Sequence, residues 1–132
     1  MFSDQYKKMC ERAAKLQEAW KPAEKDYYLE KGTTYPQMIL SDSEKEEISR
    51  MKDNYIWLPS GNMLYRPELQ RAGMILSDKL LEKAISSFWE EAKEGKIKII
   101  KGDAHIQNLQ AAMNILFFQE WDAERDVWIE RY

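Results

Sequence analysis

Residues 77–120 read SDKLLEKAISSFWEEAKEGKIKIIKGDAHIQNLQAAMNILFFQE, and their reading decides the fold. From Ser77 to Glu94, Leu80, Leu81, Ala84, Ile85, Phe88 and Ala92 recur at three- and four-residue spacing. That is the stripe of an amphipathic helix. Ser77 stands where an N-cap oxygen meets the free N–H groups of the first turn. Gly95 stands where helices end. Lys96 to Ile100 then alternates with period two, as a strand does. Gly102-Asp103 turns the chain and caps a second helix over 104–120, with Ile106, Leu109, Met113, Leu116 and Phe117 on its apolar face.

Working outward, residues 4–20 read as a third amphipathic helix. Tyr6, Met9, Cys10, Ala13, Leu16 and Trp20 form its stripe, Ser3 its cap and Lys21-Pro22 its end. Asp26 to Glu30 and Gln37 to Leu40 read as short strands joined through Lys31-Gly32-Thr33-Thr34. Pro36 places the second near a sheet edge. Ser41-Asp42-Ser43-Glu44 matches a capping box. It opens a charged helix to about Lys52, whose thin apolar face holds Ile48, Met51 and Tyr55. Tyr55 to Leu58 reads as extended and Pro59-Ser60-Gly61 as a turn. A short helical turn spans Pro67 to Ala72 and ends at Gly73. The tail from Trp121 to Tyr132 closes a small hairpin with Val127-Trp128-Ile129 as one arm. The expected fold is α+β and helix-predominant: three amphipathic helices and one charged helix packed with a small sheet.

The chain has 132 residues, 33% charged and 44% hydrophobic, with five Trp, seven Tyr and four Phe. This length suggests a single domain, 1–132, able to bury a core without disulfides or metal. The net charge of −3 argues against general nucleic-acid binding. Residues 120–132 carry the whole excess, with five acids against two bases. One cysteine excludes an intrachain disulfide and fits a reducing compartment. No secretory signal is visible and the apolar runs are far too short for a membrane span. The expected location is cytoplasmic.

Several landmarks occur as an ordered set: Ala19-Trp20-Lys21-Pro22, Asp26-Tyr27-Tyr28-Leu29, Tyr55-Ile56-Trp57-Leu58-Pro59, a Leu-rich helix, and Trp121-Asp122-Ala123-Glu124-Arg125-Asp126-Val127-Trp128. The order resembles small uncharacterised proteins encoded by phages and prophages of Gram-positive bacteria. That resemblance implies a cytoplasmic accessory protein of a bacterial host cell, of a kind that often binds a host or phage protein. It brings no catalytic residues with it.

No nucleophile elbow, Cys pair or phosphate-binding glycine loop is present. His105, the sole histidine, sits in a first helical turn beside Asp103. It reads either as a general base or single metal ligand or as a polar residue at a helix start. Asp122, Glu124 and Asp126 open like a calcium loop, but Val127 takes the place of its glycine and the chain ends before the closing glutamate. Cys10 lies on an apolar stripe, where cysteine behaves as a small hydrophobe. Lys93, Lys96, Lys98 and Lys101 read as a phosphate surface or as an edge strand blunted by lysine, and the flanking acids favour the second.

Tyr55 and Trp57 share one face of their strand, so the segment is either buried on both sides or presents an aromatic platform. Trp89 and Phe118 fall at the margins of their helical stripes, where they pack on strands or form a contact between copies. The expected function is therefore non-catalytic binding of another protein through Tyr55, Trp57, Trp89 and Phe118, with no cofactor, metal or catalytic residue and no membrane partner. A homo-oligomer stays open. Two alternatives are metal-assisted hydrolysis by the acidic tail with His105 and weak nucleic-acid binding by the lysine strand.

Overall fold

The computed structural model describes residues 1–61 and 63–131. Among them the fold is α+β with helix predominating, as six α-helices accompany a three-stranded antiparallel sheet and a two-stranded hairpin. The chain forms two compact units, Met1–Ser60 and Gly61–Tyr132, each with its own buried side chains.

In the first unit, α1 (Asp4–Arg12) starts where Ser3 accepts the Tyr6 N–H at 3.1 Å. The single helix expected over 4–20 is broken at Ala13 (φ −83°, ψ 69°), and α2 runs Ala14–Ala19. The break tightens the turn: the Ala13 N–H bonds the Cys10 carbonyl at 3.1 Å. The apolar stripe crosses the break intact, with Tyr6, Met9, Cys10, Ala13 and Leu16 all fully buried. Three- and four-residue spacing therefore reports the buried face correctly and says nothing of one residue leaving the helical basin.

Three strands follow, β1 (Tyr27–Glu30), β2 (Gln37–Met38) and β3 (Tyr55–Leu58), in the order β2-β1-β3. The β1–β3 register pairs Tyr28 with Trp57 and Leu29 with Ile56. β2 is shorter than the 37–40 expected, and α3 (Asp42–Arg50) follows it. Ser41 caps α3 by accepting the Glu44 N–H at 3.2 Å. Glu44 does not complete the capping box: its side chain accepts the Tyr28 hydroxyl at 3.1 Å and so ties α3 to β1. Ile48 is buried as the thin stripe implies, whereas Met51 is 47% exposed.

One side chain closes the open edge of β3. The Gln17 amide oxygen accepts the Trp57 N–H at 2.7 Å, and its nitrogen donates to the carbonyls of Trp57 and Cys10, both at 3.0 Å. A primary amide has one acceptor and two donors in the plane of a peptide group. It thus joins β3 to the end of α1 as a neighbouring strand would. On the sheet face, Trp57 stacks on Trp20, with ring centroids 5.8 Å apart and planes 3° from parallel. The Trp20 indole N–H in turn donates to Asp26 at 2.9 Å.

The second unit is built on α4 (Pro67–Ala72), α5 (Asp78–Lys93) and α6 (Ala104–Phe117), with the hairpin β4 (Gln119–Asp122) and β5 (Val127–Glu130). Ser77 and Asp103 cap α5 and α6 as expected. α6 is more deeply placed than one apolar stripe implies, because every residue from Leu109 to Phe117 is buried. A helix apolar nearly all round belongs inside. It stops at Phe117 rather than at 120, since Phe118 takes the left-handed conformation (φ 56°, ψ 40°) that ends a helix.

The strand expected at Lys96–Ile100 does not form a ladder. Lys96 and Ile97 lie in a bend and 98–100 have no regular structure, yet the burial alternates as expected: Ile97 is buried in the cluster with Leu81, Phe88 and Ala111, Ile99 packs against it, and Lys98 is exposed. Side chains of α6 take the place of a partner strand. Gln110 accepts the Ile100 N–H and donates to the Lys98 carbonyl, both at 2.9 Å, and Gln107 donates to the Ile100 carbonyl at 3.3 Å.

Gly73 ends α4 with an ordinary φ of −87°, so its lack of a side chain answers to space and not to backbone freedom. A Cβ there would lie 2.6 Å from Leu116 Cδ2 and 3.0 Å from Leu116 Cα. Overpacking of this kind costs about 1–3 kcal/mol. Gly73→Ala is therefore expected to lower the unfolding free energy by about that amount in urea denaturation, although alanine is otherwise favoured over glycine on entropic grounds. A stabilised variant would contradict the close approach to Leu116.

Candidate functional site

The four aromatic residues singled out for binding fall in different settings. Trp57 is 2% exposed and belongs to the core, so no aromatic platform shared with Tyr55 is open. The segment's other reading holds: Ile56, Trp57 and Leu58 are all buried. Their alternation fails to separate two faces because both are covered: Trp57 stacks on Trp20, β3 lies against α1, and Ile56 and Leu58 are buried as well. Tyr55 is half-buried, set edge-on to Tyr28 at 5.5 Å. It lines a cleft of about 590 Å³ with Ala14, Gln17, Glu18 and Lys52. The Lys52 ammonium is committed there, donating to the carbonyls of Glu18 and Trp20 at the end of α2.

Trp89 and Phe118 are open, at 39% and 52% exposed. Trp89 stands edge-on to Phe88, with centroids 5.1 Å apart. It walls an apolar groove of about 140 Å³ with Met63, Leu64, Ile85 and Ala111, and Asn108 supplies a polar rim. The local sequence explains the placement. Phe88 and Trp89 are consecutive on α5, about 100° apart, so when Phe88 enters the core its neighbour is held at the boundary. Phe118 is exposed for another reason: its left-handed backbone turns it off the α6 stripe.

The residues weighed for chemistry do not assemble. Among the described residues no group of three or more His, Cys, Asp or Glu side chains is placed to hold a metal ion, so His105 and the tail acids lack the convergence that metal-assisted hydrolysis needs. Asp122 has a structural task. Its carboxylate accepts the N–H groups of Glu124 and Arg125 at 3.0 and 3.3 Å, closing the β4–β5 turn. Cys10 is fully buried, and burial pushes its thiol well above the ordinary range, the reverse of what a nucleophile requires. Of the four lysines, Lys96 pairs with Glu94 at 2.9 Å and Lys98 is exposed.

A second cleft, of about 370 Å³, lies in the same unit as Trp89. Lys98, Ile99 and Ile100 form part of its lining, Gln110 another part, and Trp121 to Glu124 with Ile129 the rest. Trp121 is 8% exposed and its indole N–H has no partner among the described residues. Gln17, Gln107 and Gln110 are functional side chains that the sequence does not announce. Their only signal is a polar residue on an apolar helical face, which does not say where its amide is spent.

No family model, curated protein or solved structure matches the chain. No helix among the described residues is long and apolar enough to cross a membrane.

Tyr28 carries the clearest titration signature. Its ring is buried, its single hydroxyl proton is shared between the Glu44 and Gln37 side-chain oxygens, both at 3.1 Å, and burial followed by the Glu44 carboxylate raises its ionisation to about 12. The unfolded chain ionises near 10. The stabilisation is therefore complete below pH 10 and is lost as the pH rises through 12. Denaturation midpoints are expected to fall over that interval for the wild-type chain and to fall less for Tyr28→Phe; equal slopes would contradict the assignment.

Proposed function

We propose that this chain is a non-catalytic accessory protein of phage or prophage origin that acts in the bacterial cytoplasm by binding another protein. The observation that carries the reading is Trp89, a large aromatic that is 39% exposed beside an apolar groove of about 140 Å³. Tryptophan in such a setting dominates many protein interfaces, because a rigid ring buries a large area at little entropic cost. A groove of this size suits one apolar side chain of the partner rather than a cofactor, for which sites usually measure 300–1,000 Å³. The phage context rests on the ordered aromatic landmarks of the sequence.

Trp57 is a core residue in this account and Trp89 is the anchor. Tagged wild-type protein is expected to retain a specific partner from infected or prophage-induced cells. Trp89→Ala is expected to lower recovery at least tenfold, as loss of an anchor worth about 2 kcal/mol implies. Far-ultraviolet circular dichroism should show the variant folded. Full recovery by a folded Trp89→Ala protein would remove the groove from the interface.

A further inference from the structure

The 370 Å³ cleft of the second unit lies between β4 and residues 98–100, and an α6 side chain bonds the latter where a strand would. On one side, Lys98 and Ile100 turn their main-chain groups toward Gln110, which bonds the Ile100 N–H and the Lys98 carbonyl. These are the two groups, two residues apart, that a neighbouring strand engages. On the other side, β4 has an open edge. The Arg131 N–H donates to the Phe118 carbonyl at 2.9 Å, which makes 131/118 a hydrogen-bonded pair and sets the parity of the hairpin. Trp121, opposite Trp128, then falls at a non-hydrogen-bonded position, in keeping with ring centroids only 5.2 Å apart. Its main-chain N–H and carbonyl point away from β5.

We propose that this cleft takes an extended peptide segment of a partner protein, which adds as a strand along β4 and takes over from Gln110 the ladder groups of Lys98 and Ile100. Recognition is by main chain. The lining carries three charged side chains: Asp122 is paired with Arg125 at 3.7 Å, and Lys98 and Glu124, neither in an ion pair among the described residues, are opposite in sign, so it selects no strong charge of either sign. Ile99, Ile100 and Ile129 offer apolar surface to alternate side chains. Strand addition of this type draws affinity from the backbone and selectivity from alternate pockets. The surface is separate from the Trp89 groove and does not depend on it.

The test is a titration of the ¹⁵N-labelled full chain with an uncharged, capped pentapeptide of alternating threonine and valine, at up to millimolar concentration. The expected result is a set of saturable shifts at the Ile100 and Trp121 amides and at the Gln110 side-chain NH₂. The same peptide with alternate amides N-methylated cannot complete a ladder and is expected to leave these signals in place. Gln110→Met, which keeps the side-chain length and removes the competing amide, is expected to bind the first peptide several-fold more tightly. Absence of shifts in the wild-type chain, shifts confined to other residues, or equal binding of the N-methylated peptide would each overturn the proposal. The wild-type titration stands whether or not the Gln110 variant folds. Trp89→Ala is expected to respond like the wild type, which separates this surface from the groove.

Discussion

The first unit depends on how one primary amide is spent. Gln17 meets three main-chain groups at once: the N–H and carbonyl of Trp57 and the carbonyl of Cys10. Each has a reason to need it. β3 is an edge strand, so half its ladder groups face away from β1, and Trp57 lies where water is excluded. Cys10 sits at the break between α1 and α2. A buried main-chain group left unbonded costs about 1–3 kcal/mol. The Cys10 carbonyl also accepts the Ala13 N–H, so the two Trp57 groups are the ones that rest most on this amide, and their bonds are a sizeable share of a total stability of about 5–15 kcal/mol. With the edge closed, Trp57 holds its ring against Trp20, which in turn reaches Asp26 and the turn before β1.

The second unit solves the same problem in the same way. Gln110 lies on the most deeply buried helix and is itself 5% exposed, yet it reaches two groups of the segment at 96–100. Both units thus hold main-chain groups against a helix through a glutamine, not against another strand. At β3 this protects the strand edge from pairing with further chains, the role that covered edges play elsewhere, whereas at Lys98–Ile100 the glutamine holds the groups that the proposed peptide strand takes over.

Much of the fold was legible in the sequence because its signals are local. Ser3, Ser41, Ser77 and Asp103 each cap the helix they announce, and β3 runs from Tyr55 to Leu58 as read. Period alone predicted a strand at Lys96–Ile100. It reports which side chains face inward, and Ile97 and Ile99 do, but it cannot report whether a ladder partner exists. The break at Ala13 and the end of α6 at Phe118 are single-residue backbone events that leave the apolar spacing intact. At the candidate site, adjacency on a helix placed Trp89 at a boundary correctly. Exposure of Trp57 was not decidable, because an apolar strand with two apolar faces reads alike whether one face is open or covered. The glutamines were missed since an amide's partners lie 40 and 10 to 12 residues away along the chain.

The most direct test of this account is native-state hydrogen exchange at the Trp57 amide in Gln17→Met, a variant that keeps the length of the side chain and removes its hydrogen bonds. If Gln17 closes the edge, Trp57 exchanges at least tenfold faster than in the wild-type chain, as loss of about 1.4 kcal/mol or more implies, while Leu29 and Ile56 in the paired interior change less. Unchanged protection of Trp57 in the folded variant would mean that the edge is held by something other than this amide, and the central claim would fall.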